Sequence, residues 1–325
     1  MTVFIIRRLL QSAVVLFVMS FLVFTSVNLV GDPVEMMVSD EADQEERDRV
    51  IKSMGLDKPW YIQYGLFVGN AFKGDLGNSF VYGEPALQII VARMPATFEL
   101  ALVSLLMSII IGIPLGVWAG LFPEKLSSKI VMSGSILGFS LPTFWVGLMM
   151  IMVFAVMLGW LPSTGRGDTV ELLGINVSFL SADGLSHLFL PALNLALFNT
   201  SLVIRLTRAG VREAVHQDYI KFARAKGLSN TRVIMVHLMK NIMIPVVTVL
   251  GLEFGGLIAF SVVTETVFAW PGMGKLIIDS IQSLDRPIIV AYLMIIVFVF
   301  VIINLVVDVL YSILDPRVRL QDVKS

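Results

Sequence analysis

Residues Ile288 to Val307 read IIVAYLMIIVFVFVIINLVV and contain no Asp, Glu, Lys or Arg. A helix of about 20 apolar residues spans the hydrocarbon core of a bilayer, so this run predicts a transmembrane helix. Five further runs are uncharged or nearly so, and they are Leu9–Val30, Leu100–Leu121, Ile130–Trp160, Leu188–Ile204 and Asn241–Thr264. The sequence therefore predicts an all-α integral membrane protein with six transmembrane helices.

The overall composition supports this class. The chain has 325 residues, of which 56% are hydrophobic and 15% are charged, whereas a soluble domain is about half apolar and a quarter charged. It contains no Cys, which excludes a disulfide framework and thiolate metal sites. A net charge of −1 gives no general attraction to polyanions, so we expect no nucleic-acid partner.

Two runs need comment. The first follows Arg7 and Arg8, as a signal peptide would. It is too long, has no small-residue cleavage site and precedes five more runs, so we interpret it as a retained helix. The third run is longer than a bilayer requires, and Pro142 within it predicts a kink.

The distribution of Lys and Arg predicts the orientation. With the N-terminus inside, 15 of the 24 Lys and Arg lie in inside segments, and 6 of the remaining 9 lie in one long outside loop, which counts little. Both termini are therefore predicted to be cytoplasmic. The predicted organisation is a cytoplasmic N-terminus and first helix (1–30), an external segment (31–96), a five-helix core with a cytoplasmic loop at 205–241 (97–310), and a cytoplasmic tail (311–325).

The external segment is predicted to be a small folded element. Asp43–Met54 has the pattern of a short helix that ends at Gly55. A second helical run places Trp60, Tyr64, Phe67 and Val68 on one face. Such a face suits either the headgroup layer or packing on the membrane helices, and the sequence alone does not separate the two.

Small residues recur every four positions in three of the runs. Helices in lipid associate through close backbone approach, which glycine permits. The second run has Gly112, Gly116 and Gly120, and the third and fifth have the pairs Gly134/Gly138 and Gly251/Gly255. A tight helical bundle is therefore expected.

Polar residues within the runs are candidates for the transport pathway. A charge in hydrocarbon is expensive, so Glu253 is a candidate pathway residue, the alternative being a hydrogen-bonded packing role. Glu265 is expected to reach the membrane interface, and Glu99 to be solvated or to cap a helix. Asn194 and Asn199 would line a cavity or bridge helices, and we favour bridging.

The cytoplasmic loop from Arg205 to Pro245 is the most informative segment. Eight bases and two acids accompany apolar residues at helical spacing, which predicts an amphipathic helix on Val211, Ala214, Val215, Tyr219, Phe222 and Ala223. Gly227 would end it, and a second helix would lead into the fifth run. This arrangement indicates either a docking surface for a partner or an anchor to anionic lipid.

Six stretches resemble one family over nearly the whole chain. They are GLDKPWYIQY at Gly55–Tyr64, GDLGNS at Gly74–Ser79, DYIKFARAKGL at Asp218–Leu228, HLMKNIMIPVVT at His237–Thr248, TETVFAWPGMGKLIIDSI at Thr264–Ile281 and NLVVDVLYSILDPRVR at Asn304–Arg319. In order and content they resemble ABC importer permeases of the dipeptide/oligopeptide/nickel type, specifically the first permease subunit.

The resemblance implies a type I ABC importer permease fold in a bacterial inner membrane. It implies four kinds of partner: a second homologous permease, two cytoplasmic ATPase subunits, an external substrate-binding protein and the lipid bilayer. ATP and Mg would be bound by the ATPases, so no cofactor, metal or catalytic site is expected in this chain. The implied ATPase-coupling residues are Asp218, Tyr219, Ala223, Arg224, Ala225, Lys226 and Gly227.

The motif PGMGKL at Pro271–Leu276 lacks the spacing of a phosphate-binding loop. We interpret it as part of a turn at the external mouth, together with neighbouring residues. The predicted mouth residues are Glu265, Trp270, Pro271, Gly272 and Gly274.

The chain departs from the wider superfamily at Lys221, where Glu is usual, and at Lys240, where Pro is usual, but the peptide-type subgroup shares both departures. Glu253 stands where relatives often carry an amide. The expected substrate is a short peptide, with nickel chelates, glutathione or another small solute as alternatives. A self-sufficient channel or secondary carrier is the competing class, which transport by the chain alone would support.

Overall fold

The computed structural model describes residues 2–29, 43–54 and 56–314, and helices make up most of them. In chain order the elements are α1 (Thr2–Leu29), α2 (Gln44–Met54), α3 (Trp60–Phe72), α4 (Ala86–Leu121), α5 (Leu126–Ser140), α6 (Thr143–Met150), β1 (Val170–Leu172), β2 (Ile175–Val177), α7 (Ala182–Ala214), α8 (Asp218–Ala225), α9 (Asn230–Arg232), α10 (Met239–Val267), α11 (Met273–Gln282) and α12 (Arg286–Leu314). Two π-helical stretches, Ile151–Met157 and Val233–Leu238, extend α6 and join α9 to α10.

The described residues contain five helices that are long and apolar enough to cross a membrane: Ile6–Ser26, Ala86–Leu121, Ala182–Ala214, Asn230–Val267 and Arg286–Val309. Leu126–Ser140 and Thr143–Met157 are bent by 109° relative to each other and together form either one broken span or a re-entrant loop. The structure therefore holds five of the predicted spans, and a sixth where the bent pair counts as one. Helix α4 begins at Ala86, well before the predicted start of its span at Leu100.

The kink expected at Pro142 is a complete break between α5 and α6. Leu141 leaves the helical region, with ψ of 138°, because the ring of a following proline disfavours the α conformation. Pro142 has no backbone N–H to donate and serves as the residue before α6. The prediction of a kink is confirmed, and the bend is sharper than a proline kink within one continuous helix.

Two compact units make up the chain. Among the described residues, the first comprises 93–276 and 302–314, and the second comprises 2–29, 43–54, 56–92 and 277–301. In the first unit α8 packs on the ends of α7 and α10. In the second unit α3 packs on α1.

Close helix packing in the first unit follows the glycine pattern of α4. A Cβ at Gly112, Gly116 and Gly120 would lie 2.7, 2.6 and 2.6 Å from side-chain atoms of Val203, Thr207 and Val211 of α7, respectively. These distances are too short for real Cβ atoms, so glycine is needed at all three positions. The expected tight bundle is confirmed here and at Gly251, which packs on Val307, but not at Gly134, whose Cβ would meet nothing within 4 Å.

In the second unit, the aromatic face of α3 packs against α1. Tyr64 makes edge contacts with Phe17, Phe21 and Phe24 of α1, and its hydroxyl shares a hydrogen bond of 2.8 Å with Ser20. Packing on a membrane helix is therefore the alternative that holds for Tyr64. Helix α2, predicted at Asp43–Met54, is present at Gln44–Met54, and its predicted end at Gly55 lies outside the described residues.

Candidate coupling loop and membrane-embedded polar sites

The stretch from Val211 to Ala223, predicted to be one amphipathic helix, is divided between two helices. Helix α7 ends at Ala214, and α8 begins at Asp218 after Gln217, an extended residue with ψ of 149°. Val211 and Ala214 therefore belong to the end of a membrane helix, whereas Tyr219, Phe222 and Ala223 belong to the separate helix α8. The prediction of a single amphipathic helix was wrong, because helical spacing continues across a short interruption.

The end of α8 depends on Gly227, as predicted. Its φ is +73°, a left-handed value that glycine adopts without steric cost. The N–H of Gly227 donates to the carbonyl of Arg224 at 2.9 Å, and the N–H of Leu228 donates to that of Ala223 at 3.4 Å. These two bonds form a Schellman motif, which fixes the direction in which the chain leaves α8.

Helix α8 has a buried face and an exposed face. Ile220 and Ala223 are buried in an apolar cluster that also contains Val211 of α7 and Val246 of α10. Phe222 is 62% exposed, and the Lys226 ammonium lies 4.6 Å from the centre of its ring. The helix is thus fixed to the ends of two membrane helices while it presents an aromatic and basic surface.

The other predicted coupling residues lie on this exposed side. Asp218, Tyr219, Arg224, Ala225, Lys226 and Gly227 are exposed, and Asp218 pairs with Lys221 at 2.9 Å. Beyond α8, Met235 and Val236 are also exposed, at 66% and 52%. Together, the exposed residues of α8 with Met235 and Val236 form what we call the docking surface.

The two candidate asparagines of α7 are buried. Asn194 donates from Nδ2 to the Thr264 hydroxyl of α10 at 3.1 Å, so it bridges two helices, which is the favoured alternative. The Oδ1 atoms of Asn194 and Asn199 have no hydrogen-bond partner among the described residues. Neither side chain opens onto the surface of the chain.

Glu253 occupies a different environment. It lies at the midpoint of α10, fourteen residues from each end, and its side chain is half-buried. A Cβ at Gly256 would lie 3.8 Å from its Oε2. No hydrogen bond or ion pair connects its carboxylate to the residues that the structure describes.

The predicted mouth residues converge on Glu265, which lies inside the protein. Glu265 is fully buried, and its carboxylate accepts hydrogen bonds from the Thr97 and Ser261 hydroxyls and from the Lys275 N–H at 2.8, 2.9 and 3.0 Å. The expectation that it reaches the interface was wrong, because these donors replace water.

The small residues of the same motif leave room for this carboxylate. A Cβ at Gly272 would lie 2.4 Å, and one at Gly274 2.9 Å, from Glu265 Oε2. Trp270 is buried and donates from Nε1 to the Ala96 carbonyl at 2.9 Å, while Pro271 stays partly exposed. The motif therefore builds a rigid turn around a buried acid.

Glu99 was expected to be solvated or to cap a helix, and it is instead buried. Its Oε2 accepts two bonds from Arg166 at 2.5 and 3.1 Å. Its Oε1 accepts from the N–H of Ser178 at 2.5 Å, from the Ser178 hydroxyl at 2.8 Å and from the N–H of Phe179 at 2.9 Å. The one sequence signal was Arg166, the single base between the third and fourth runs.

Comparison with known proteins identifies the family. The family described as "binding-protein-dependent transport system inner membrane component" matches residues 112–320, and its N-terminal counterpart matches residues 1–101. The chain belongs to this family of permeases. The permease is thus a multi-pass inner-membrane component of a transport system. Membership implies an ATPase and a substrate-binding protein as partners.

Curated relatives match over almost their whole length. The permease is 39% identical to the di/tripeptide transport system permease protein DppB of Pseudomonas aeruginosa, with 98% of this chain and 99% of that protein covered. It is equally similar to the glutathione transport system permease protein GsiC of Escherichia coli (97% and 98% covered) and to the oligopeptide transport system permease protein AppB of Bacillus subtilis (98% and 100% covered).

A solved structure supports the fold. The inward-facing MetNI methionine ABC transporter matches with a TM-score of 0.55 and 16% identity, covering 70% of the permease and 97% of the other chain. This likeness shows the fold alone. The permease has the type I ABC importer fold that the sequence predicted.

Proposed function

We propose that this permease forms half of the pathway of an ATP-driven importer of short peptides. The observation that carries the proposal is the near full-length similarity to three permeases whose names specify di/tripeptides, oligopeptides and glutathione. All three substrates are peptides or peptide-like. A second homologous permease would supply the other half of the pathway, and an external binding protein would deliver the peptide.

The docking surface supports attachment to cytoplasmic ATPases. An exposed aromatic residue beside basic side chains, on a helix whose other face is anchored, suits insertion into a partner's groove. Because Ile220 and Ala223 share one apolar cluster with α7 and α10, movement of α8 would shift both membrane helices. ATP-driven closure of two ATPases would reach the pathway by this route.

We further propose which subunits bind ATP and on which side of the membrane the two termini lie. ATP and Mg would be bound by the ATPase subunits, with no cofactor, metal or nucleic acid bound by this chain. The excess of Lys and Arg on the side that carries α8 supports cytoplasmic N- and C-termini. The lipid bilayer of the inner membrane surrounds the exposed apolar helices.

A competition experiment tests the substrate. The complex of this permease, its second permease, its ATPases and its binding protein is reconstituted in liposomes, and ATP-dependent uptake of a labelled dipeptide is measured. Excess unlabelled dipeptides and tripeptides are expected to compete, and a nickel chelate or an unrelated sugar is not. Efficient competition by the nickel chelate alone would contradict peptide import and favour the metal-chelate alternative.

A further inference from the structure

We propose that the Glu253 carboxylate lines the translocation pathway and binds the free ammonium group of the transported peptide. This inference rests on the proposed function and adds the substrate group that the membrane subunit recognises.

Glu253 lacks the hydrogen-bond donors that the buried acids of the permease have. Glu99 and Glu265 are buried acids in the same compact unit, and each accepts at least three hydrogen bonds from protein donors. Glu253 has no such bond with the described residues. A carboxylate without donors is costly away from water, so we look for the partner of Glu253 beyond the described residues.

Glu253 also lies far from both ends of its helix. Glu253 is fourteen residues from either end of α10, which corresponds to about 21 Å along a helix in each direction. It is also the one charged residue between Lys240 and Glu265. At this depth the side chain cannot reach either membrane surface by extending along the helix, so its partner must come to it.

Glu253 lies beside the exposed face of α10. Leu252 and Phe260 are 48% and 77% exposed, and Gly256 between them is half-buried. Leu250 and Leu257, on the other side, are buried. Leu252, Gly256 and Phe260 form an exposed stripe along α10. Because successive residues are rotated by about 100° around the helix axis, Glu253 lies at the edge of this stripe. Its carboxylate therefore faces whatever covers that stripe.

Three surroundings could cover the stripe: lipid, the second permease or the pathway. Lipid is unfavourable, because a carboxylate at the centre of a span is expensive to remove from water. A pathway holds water between transport events and holds the cationic group of the substrate during transport. The carboxylate therefore has a hydrogen-bond donor both with and without substrate. A lone carboxylate also binds an ammonium weakly enough to release it, as passage requires.

The ammonium group is the part of the substrate that fits. Dipeptides, longer peptides and glutathione all carry a free α-ammonium, so one carboxylate would serve every substrate of the proposed class. A charge-assisted bond of this kind is about twice as strong as a neutral one.

The test compares Glu253→Gln, Glu253→Asp and a control, Glu124→Gln, in the reconstituted complex. Glu124 is an exposed acid between α4 and α5. Uptake of labelled dialanine is measured together with co-purification of the second permease. We expect Glu253→Gln to lower uptake at least tenfold, Glu253→Asp to stay within threefold of the unmodified complex, and Glu124→Gln to leave uptake unchanged, all with full assembly.

Other results would overturn the inference. Equal uptake by Glu253→Gln and the unmodified complex would remove any role for the charge. Loss of the second permease from Glu253→Gln would place the carboxylate at the subunit interface instead of in the pathway. If the unmodified complex does not take up dialanine, the proposed peptide function itself is refuted. That outcome differs from one in which the unmodified complex transports dialanine and Glu253→Gln does so equally well, which refutes only the Glu253 inference.

Discussion

The guanidinium of Arg166 donates two hydrogen bonds to one oxygen of Glu99, at 2.5 and 3.1 Å, where the side chains are 15% and 2% exposed. Arg166 also donates to the Asn176 carbonyl at 2.6 Å, and its guanidinium carbon lies 5.7 Å from the Trp270 ring. This pair fastens the loop that contains β1 and β2 to the start of the membrane-spanning part of α4.

Arg166→Met is expected to destabilise the permease by about 3–5 kcal/mol, because it leaves the Glu99 carboxylate buried without its cation. Thermal unfolding of the purified protein in detergent measures the effect. The double variant Arg166→Met with Glu99→Gln removes the uncompensated charge and is expected to recover most of the loss. If the double variant were less stable than Arg166→Met, the pair would not be the source of the effect.

Gly116→Ala is expected to cost about 1–3 kcal/mol, because its Cβ would lie 2.6 Å from the Thr207 Cβ and 2.9 Å from the Ile204 carbonyl. Gly134→Ala is the matched control, since its Cβ meets nothing within 4 Å. Both substitutions add one methyl group to a glycine inside a membrane helix. Equal unfolding temperatures for the two variants would contradict the proposed close contact between α4 and α7.

Gly227→Val is expected to uncouple transport from ATP hydrolysis. A β-branched residue at φ of +73° is strained whatever the space around it, so the end of α8 would change direction. Peptide uptake should fall at least tenfold while membrane insertion is unaffected. Gly227→Asn is the control, because asparagine tolerates this conformation, and it should retain most of the uptake; full uptake by Gly227→Val would show that the turn is dispensable.

Phe222→Asp is expected to weaken the attachment of the ATPases. Removing a central aromatic anchor from an interface costs about 2 kcal/mol or more, so affinity should fall at least tenfold. Co-purification of the ATPases with the tagged permease measures it. Phe72→Asp serves as the control, since Phe72 is 89% exposed on the segment predicted to be external; equal loss in both variants would point to general misfolding.

Patterns that depend on local chemistry were predictable from the sequence. Pro142 breaks its helix and Gly227 ends α8, because each acts through its own backbone restrictions. Glycines four residues apart indicated the close packing of α4. The family match then confirmed the type I permease fold that motifs such as DYIKFARAKGL had implied.

Features that depend on distant partners were not predictable. Glu99 and Glu265 looked like acids at the ends of spans, and only the fold brings Arg166, Ser178 and Thr97 to them. Helical spacing from Val211 to Ala223 hid the break between α7 and α8, since periodicity says nothing about three intervening non-helical residues. In each case tertiary contacts, not local preference, decide the outcome.

The central claim is that this permease transports peptides only as part of an ATP-driven assembly. The most direct measurement is uptake of labelled dialanine by liposomes that contain the complete complex with its binding protein, compared with liposomes that contain this chain alone. The account predicts uptake that requires both the ATPases and MgATP, and none by the chain alone. Rapid, ATP-independent uptake by the isolated chain would contradict it and support a self-sufficient channel or carrier.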